Sequence, residues 1–227
     1  MSKYVRKTEP LETLEGLLID YEEIEPYLAE GEAKGRIWAF DQAAAYWSAE
    51  PDLIAPAPSD QDIYTLHRAM FEHIFAWAGK PRKKDKGPGG IVHVPFYEVR
   101  QQLRLRFENL NFRISGHRAD EVDIEFAAEV IAQAHHDFEY VHPFTDTNGR
   151  TGRTLDHYIL WYMLGIVGPD LYTSPQIQYF PNEEYEKGYS RALKEADNHS
   201  DLSLLADFYE DRIGAAIEEV EERVRRE

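Results

Sequence analysis

Cysteine is absent from the 227 residues, which excludes disulfides and thiolate chemistry and fits a reducing cytosol. No run approaches the ~20 apolar residues that a membrane-spanning helix requires. The opening Met1-Ser2-Lys3-Tyr4-Val5-Arg6-Lys7 lacks the apolar core of a secretory signal. The expectation is a soluble, cytoplasmic protein without a membrane partner. Basic residues are scarce: 25 Lys and Arg stand against 42 Asp and Glu, a formal charge of −17. Nucleic-acid binding requires phosphates to be neutralised by Lys and Arg, so nucleic acid is not an expected partner. Any phosphate site has to be a local basic feature on an acidic body. Internal repeats and convincing strands are lacking too. What is present, 43% hydrophobic and 13% aromatic residues, is enough for one sizeable core with extensions.

Residues 1–35 are acidic. Leu11, Leu14, Leu17 and Leu18 share a helical face, which predicts a short amphipathic helix there, with Pro10 and Pro26 as punctuation. A helix is expected from Ile37 to Trp47, then a connector over 49–59 broken by Pro51, Pro56 and Pro58. Ser59-Asp60-Gln61-Asp62 has the form of a helix start, and the apolar period from Ile63 to Trp77 ends at Gly79. His67 and His73 in this helix read as core or surface residues rather than ligands. The loop over 80–95, rich in Gly, Pro and Lys, closes on the β-formers Ile91, Val92, His93 and Val94. It reads as a solvated loop, or as a flap whose extended backbone pairs with another peptide. Helical period returns over Phe96–Phe112, Ala119–Tyr140, Gly149 to about Gly165, Tyr185–Ala196 and Asp201 onward. The fold class expected is all-α with one small hairpin.

The stretch His142-Pro143-Phe144-Thr145-Asp146-Thr147-Asn148-Gly149-Arg150-Thr151-Gly152-Arg153 lies between two apolar helical patterns. Backbone N–H groups at the start of the second helix, with its positive end, form an anion cradle. Gly149 lets a ligand approach the backbone closely. Arg150 and Arg153 stand three apart and can grip different phosphates. Asp146 offers a hard oxygen to Mg²⁺. An imidazole, with a reference pKa of about 6.5, accepts a proton near neutrality, which makes His142 the candidate base. Together these suit in-line displacement at phosphorus by a hydroxyl.

This stretch resembles the signature of the Fic/Doc family, usually written HPFx[DE]GNGRxxR. His135-His136-Asp137-Phe138-Glu139-Tyr140-Val141 is similar to the family's lead-in, and the helix ending Trp77-Ala78-Gly79 to its earlier helix. The resemblance covers residues 60–200. It implies a helical bundle with a β-hairpin flap, and transfer of AMP from ATP to a protein Ser, Thr or Tyr hydroxyl with Mg²⁺ as cofactor. By position it makes His142 the base, Asp146 the metal ligand and Phe144 the anchor of the loop. Thr147, Asn148, Gly149, Arg150, Gly152 and Arg153 would form the phosphate site, with Arg153 at the γ-phosphate. Ile91, Val92, His93 and Val94 would be the target-positioning strand. The chain then divides into an N-terminal helical extension (1–58), a catalytic core (59–200) and a C-terminal helix (201–227).

Two departures qualify the resemblance. Thr147 replaces the usual glycine of the anion loop. The Doc branch, which transfers phosphate, has lysine where this chain keeps Gly149, and that favours nucleotidyl transfer. Many members also carry an inhibitory helix with the pattern [ST]xxxE[GN], which neither Glu15-Gly16 nor Glu30-Gly31 matches. The expectation is that Glu15 supplies the inhibitory carboxylate to Arg153, with an antitoxin partner or self-association as other routes to regulation. The alternatives are a Doc-like phosphotransferase, a catalytically weak nucleotide-binding or antitoxin-partnered module, and a metal phosphohydrolase built on His135, His136-Asp137 and His142.

Overall fold

The computed structural model describes residues 11–12, 18–19, 21–49, 58–85, 94–115, 117–118, 122–165 and 171–226. In chain order these form β1 (Leu11–Glu12), β2 (Leu18–Ile19), α1 (Tyr21–Trp47), α2 (Asp60–Phe71), α3 (Val99–Ile114), α4 (Ile124–Val141), α5 (Asn148–Leu164), α6 (Glu183–His199) and α7 (Ser203–Arg226), with a 3₁₀ turn at Leu171–Thr173. The fold is all-α. No helix among the described residues is long and apolar enough to cross a membrane.

The centre is the pair α4 and α5, the two most thoroughly buried helices. In α4 Val130, Ile131, Ala134 and Phe138 are buried, and in α5 Leu155, Ile159, Leu160, Trp161 and Met163 are. Helices apolar on most sides must be covered on most sides. Accordingly α1 and α2 pack on α5, while α3 and α7 pack on α4, and α6 lies against α7. The helix starts follow local chemistry. Ser59 and Asp62 form a reciprocal capping box on α2. The Asp123 carboxylate accepts from Phe126 N at 2.8 Å at the start of α4, and the Asn182 amide oxygen caps α6. At the far end of α5, Gly165 turns left-handed (φ 61°) with the Trp47 indole close by. The Trp47 Nε1–H donates to the carbonyls of Trp161 and Tyr162, both at 3.1 Å. A glycine cap suits this end, because orphan carbonyls there need an outside donor.

Two expectations at the N-terminus are corrected. Residues 11–12 and 18–19 form an antiparallel strand pair, Leu11 opposite Ile19, rather than lying in an amphipathic helix; periodicity alone does not separate helix from strand in so short an apolar run. Helix α1 also runs straight through Pro26. The lost N–H bond there is outweighed by burial of Ile24 and Leu28 on either side. The only described strands are β1 and β2; within the loop at 80–95, residues 86–93 lie outside the described residues.

Helix α1 sits unusually close to α2. A Cβ on Gly31 would lie 2.6 Å from the Met70 carbonyl oxygen, and one on Gly35 would lie 2.5 Å from Met70 Cγ. Alanine is normally the better helix former by about 1 kcal/mol, yet here it has no room. Gly31→Ala is expected to lower the unfolding free energy by about 1–3 kcal/mol through overpacking. The readout is an earlier urea midpoint at unchanged m-value; a midpoint equal to wild type would mean α1 is not held at backbone distance.

Candidate active site

The loop between α4 and α5 is held from inside the core. His142 ends α4 in a left-handed conformation (φ 49°), its N–H donating to Phe138 O at 2.8 Å. Proline disfavours the αR region in the residue before it, and this left-handed cap avoids that region. Phe144 is fully buried, as expected of an anchor, with its ring stacked on His67 at 3.6 Å. The Asn148 side chain closes the loop on itself: Oδ1 accepts from Phe144 N at 2.9 Å and Nδ2 donates to Phe144 O at 3.0 Å. Its amide is therefore a staple. Thr147 provides no side-chain cap to α5, so the first-turn N–H groups of Asn148 and Gly149 have no acceptor within the helix. These N–H groups and the helix dipole are the anion-attracting part of the site. A Cβ added at Gly149 would make only ordinary contact, with Arg153 Nη1 at 3.5 Å and Glu139 Oε1 at 3.9 Å, whereas a Cβ on Gly152 would crowd Glu139 Oε1 and Phe138 Cδ1, both at 3.2 Å. Gly152 serves packing.

Thr147 is left-handed (φ 63°, ψ 14°), an outlier for a β-branched residue that costs roughly 1–3 kcal/mol unless its surroundings compensate. Its Oγ1 donates to Asp146 O at 2.6 Å and its N–H to Asp146 Oδ1 at 2.5 Å. Asp146 is half-buried, with Oδ2 left over as a hard donor. Among the described residues no three His, Asp or Glu gather as a metal cage. One carboxylate oxygen suits Mg²⁺ that arrives on phosphates, which supply the remaining ligands.

His142 is buried. Its Nδ1 lies 3.5 Å from Glu139 Oε2, one helical turn earlier on α4. Burial pushes the Glu139 carboxyl up, but the bond and charge of His142, then His135 and Arg153, outweigh it and bring the value to about 2. Glu139 is thus an ionised group wedged between the base candidate and the first turn of α5. Arg82 ties the 80–95 loop to the same place. Its Nε donates to His142 O at 2.8 Å and its backbone N–H to Pro143 O at 2.8 Å, while its Nη1 and Nη2 reach Lys84 O and Val94 O on the two stems of the loop. Of the expected flap strand, Val94 is buried there; Ile91, Val92 and His93 lie outside the described residues.

The arginines are already engaged. Arg150 Nη2 lies 2.7 Å from both carboxylate oxygens of Glu25, and its Nη1 lies 3.3 Å from Glu32. Arg153 Nη2 lies 3.5 Å from the other oxygen of Glu32 and its guanidinium borders the Phe180 ring at 5.9 Å. Glu15 lies outside the described residues. The carboxylates on the arginines are Glu25 and Glu32, seven apart on one face of α1. Their i,i+7 spacing is a signal in the sequence, hidden once the helix is broken at Pro26.

Beneath the site, His135 Nδ1 is 2.7 Å from Asp156, which also accepts from the Tyr179 and Tyr209 hydroxyls at 2.6 and 2.8 Å. Asp137 pairs with Arg106 and accepts from Gln133 at 2.9 Å. The ligands of the alternative phosphohydrolase are therefore committed to protein partners, and that site is not assembled.

Residues 58–160 match the family model described as Fic/DOC family. Among solved structures, the BepC protein of Bartonella tribocorum, a VirB-translocated effector with bound AMPPNP, matches with a TM-score of 0.63 at 16% identity, over 91% of this chain and 93% of that one. The N-terminal Fic domain of a cell filamentation protein from Bartonella quintana, with bound ADP, matches with a TM-score of 0.58 at 18% identity over 92% of each chain. A Fic-1 fragment from C. elegans matches with a TM-score of 0.60 at 23% identity, over 93% of this chain and 56% of that one. These likenesses show a shared fold. No curated protein matches the sequence.

Two buried histidines next to the site make stability depend on pH. Burial brings His67 down to about 3 and His157 down to about 4 from 6.5. His157 is held neutral by donating from Nδ1 to Arg153 O and accepting from Ile177 N at Nε2. Unfolded, both bind protons below ~6.5, so their contribution is complete above that value and is lost as pH falls through the folded values. His135, raised because Asp156 outweighs its burial, works in the opposite sense, losing its contribution only as pH rises. Resistance to urea is expected to fall from about pH 6.5 downward, each histidine adding a slope of up to roughly 1.4 kcal/mol per pH unit. A flat profile between about pH 6.5 and 4.5 would contradict the neutral assignments.

Proposed function

We propose that this chain, whose residues 58–160 match the Fic/DOC family, transfers AMP from Mg-ATP to a Ser, Thr or Tyr hydroxyl of a target protein. The observation that carries the reading is the juxtaposition around Glu139, which has His142 Nδ1 on one side and the Gly149 and Gly152 backbone of the α5 first turn on the other. With Nδ1 turned to a carboxylate, Nε2 is the ring nitrogen that takes the proton of the attacking hydroxyl. The hydroxyl oxygen bonds to the α-phosphorus, the bond to pyrophosphate breaks, and the proton passes to His142. The first-turn N–H groups and Arg150 and Arg153 hold phosphate oxygens. Mg²⁺ at Asp146 would supply charge neutralisation to the phosphates when bound. Arg82, by joining the stems at Lys84 and Val94 to His142 O, holds both ends of the 80–95 loop beside the base. The small Gly149 favours this over the phosphate transfer of the Doc branch.

The α1 carboxylates regulate this site in the same reading. Glu25 and Glu32 occupy the guanidinium groups that phosphates require, so nucleotide binding has to displace them. Activity is read by incubating the protein with Mg-ATP and cell lysate and measuring protein-linked adenylate and phosphate separately by mass spectrometry. Adenylate that disappears in His142→Ala is the expected result; phosphate alone would replace this reading by phosphotransfer. Neither product, with ATP still bound, would leave a nucleotide-binding module. In a calorimetric titration with Mg-ATP, the double substitution Glu25→Gln, Glu32→Gln is expected to raise affinity roughly tenfold, equivalent to about 1.4 kcal/mol. Unchanged affinity would rule out competition by α1.

A further inference from the structure

Thr147 occupies a left-handed position where a β-branched side chain is disfavoured, and it is bonded from both sides of the loop. Beyond its bonds to Asp146, its hydroxyl oxygen lies 3.0 Å from His67 Nε2, and its carbonyl accepts from Thr151 N and Oγ1, both at 3.0 Å. The direction of the His67 contact follows from the opposite edge of the ring. Gly79 N–H donates to His67 Nδ1 at 2.8 Å, so Nδ1 is bare and the proton of the neutral ring is on Nε2. His67 is fully buried and its ring is stacked on Phe144, which fixes its plane. The result is a directional chain: Gly79 N–H to His67, His67 Nε2–H to Thr147 Oγ1, and Thr147 Oγ1–H to Asp146 C=O.

We propose that His67 and Thr147 form a latch that orients the peptide between Asp146 and Thr147, so that Asp146 folds one carboxylate oxygen back on the chain and keeps the other for the cation of a magnesium nucleotide. Both are positioning residues. The inference rests on the reading of the site as a magnesium-nucleotide site. It accounts for a threonine at this position: a hydroxyl accepts a hydrogen bond from His67 Nε2–H and donates its own to the Asp146 carbonyl, neither of which glycine can do. It also connects two parts of the site. Gly79 immediately precedes the loop stem that Arg82 bonds to His142 and Pro143, so the same stem is joined to the anion loop at its beginning through Arg82 and at its end through the latch.

The test uses Thr147→Ser, which keeps the hydroxyl, and Thr147→Val, which keeps the shape without it. Calorimetric titration with ADP, with and without Mg²⁺, gives the magnesium-dependent gain in affinity for each protein. Thr147→Ser is expected to keep the wild-type gain. Thr147→Val is expected to lose roughly tenfold of it, the size of one buried hydrogen bond left unmade, with magnesium-free affinity little changed. A merely structural role would weaken both affinities together. ¹⁵N-histidine NMR of the wild-type protein is expected to show His67 protonated on Nε2 and bare on Nδ1. That measurement still decides the matter if Thr147→Val does not fold. Equal magnesium gains in Val and Ser, or an Nδ1–H tautomer at His67, would overturn the latch. Absence of any magnesium-dependent ADP binding in the wild type would overturn both the latch and the nucleotide reading. A normal gain without protein-linked adenylate would overturn the reaction alone.

Discussion

The site depends on burial of one aromatic ring. Phe144 is pinned between His67 and Tyr64, and the Asn148 amide then bonds both its N–H and its C=O. Those contacts convert a glycine- and arginine-bearing connector into a loop with one shape. A loop with this many polar backbone groups would ordinarily remain solvated. Here the core accepts it because its own side chains satisfy the buried amides.

Around that fixed loop the charges are arranged in opposition. Glu139 stands ionised under the first turn of α5, and Glu25 and Glu32 stand above it on α1, so Arg150 and Arg153 lie among carboxylates. Partly exposed arginines with such partners are well satisfied in the absence of a ligand. In the proposed reading, an incoming phosphate chain would exchange one set of charge-assisted bonds for another, and its net affinity would be a difference between two large, similar quantities.

How much of this was legible in the sequence depended on how local each signal was. The buried Phe144, the Ser59 cap and the helical spans that form α4 and α5 follow from side-chain chemistry and period within a few residues of one another, and they were readable. Glu25 and Glu32 were not, because a proline that ordinarily ends a helix was overridden by long-range burial of Ile24 and Leu28. The roles of Arg82 and His67 were also hidden. Each works through a partner some 60 to 80 residues away in sequence, and no local pattern marks such contacts. Thr147 looked like a weakness in the signature; its tolerance depends on His67, which only the folded chain brings within reach.

The backbone contact of α1 with α2 at Gly31 and Gly35 has a kinetic consequence. A helix seated at that distance cannot lift away as a lid without leaving its seat on Met70 and Phe71. The carboxylates of half-buried Glu25 and Glu32 must instead leave the arginines by turning about their own side-chain bonds, a side-chain motion rather than a displacement of the helix. Occupancy of the arginines would then equilibrate as fast as a ligand arrives, and single substitutions on one face of α1 would shift the set point without disturbing the rest of the molecule.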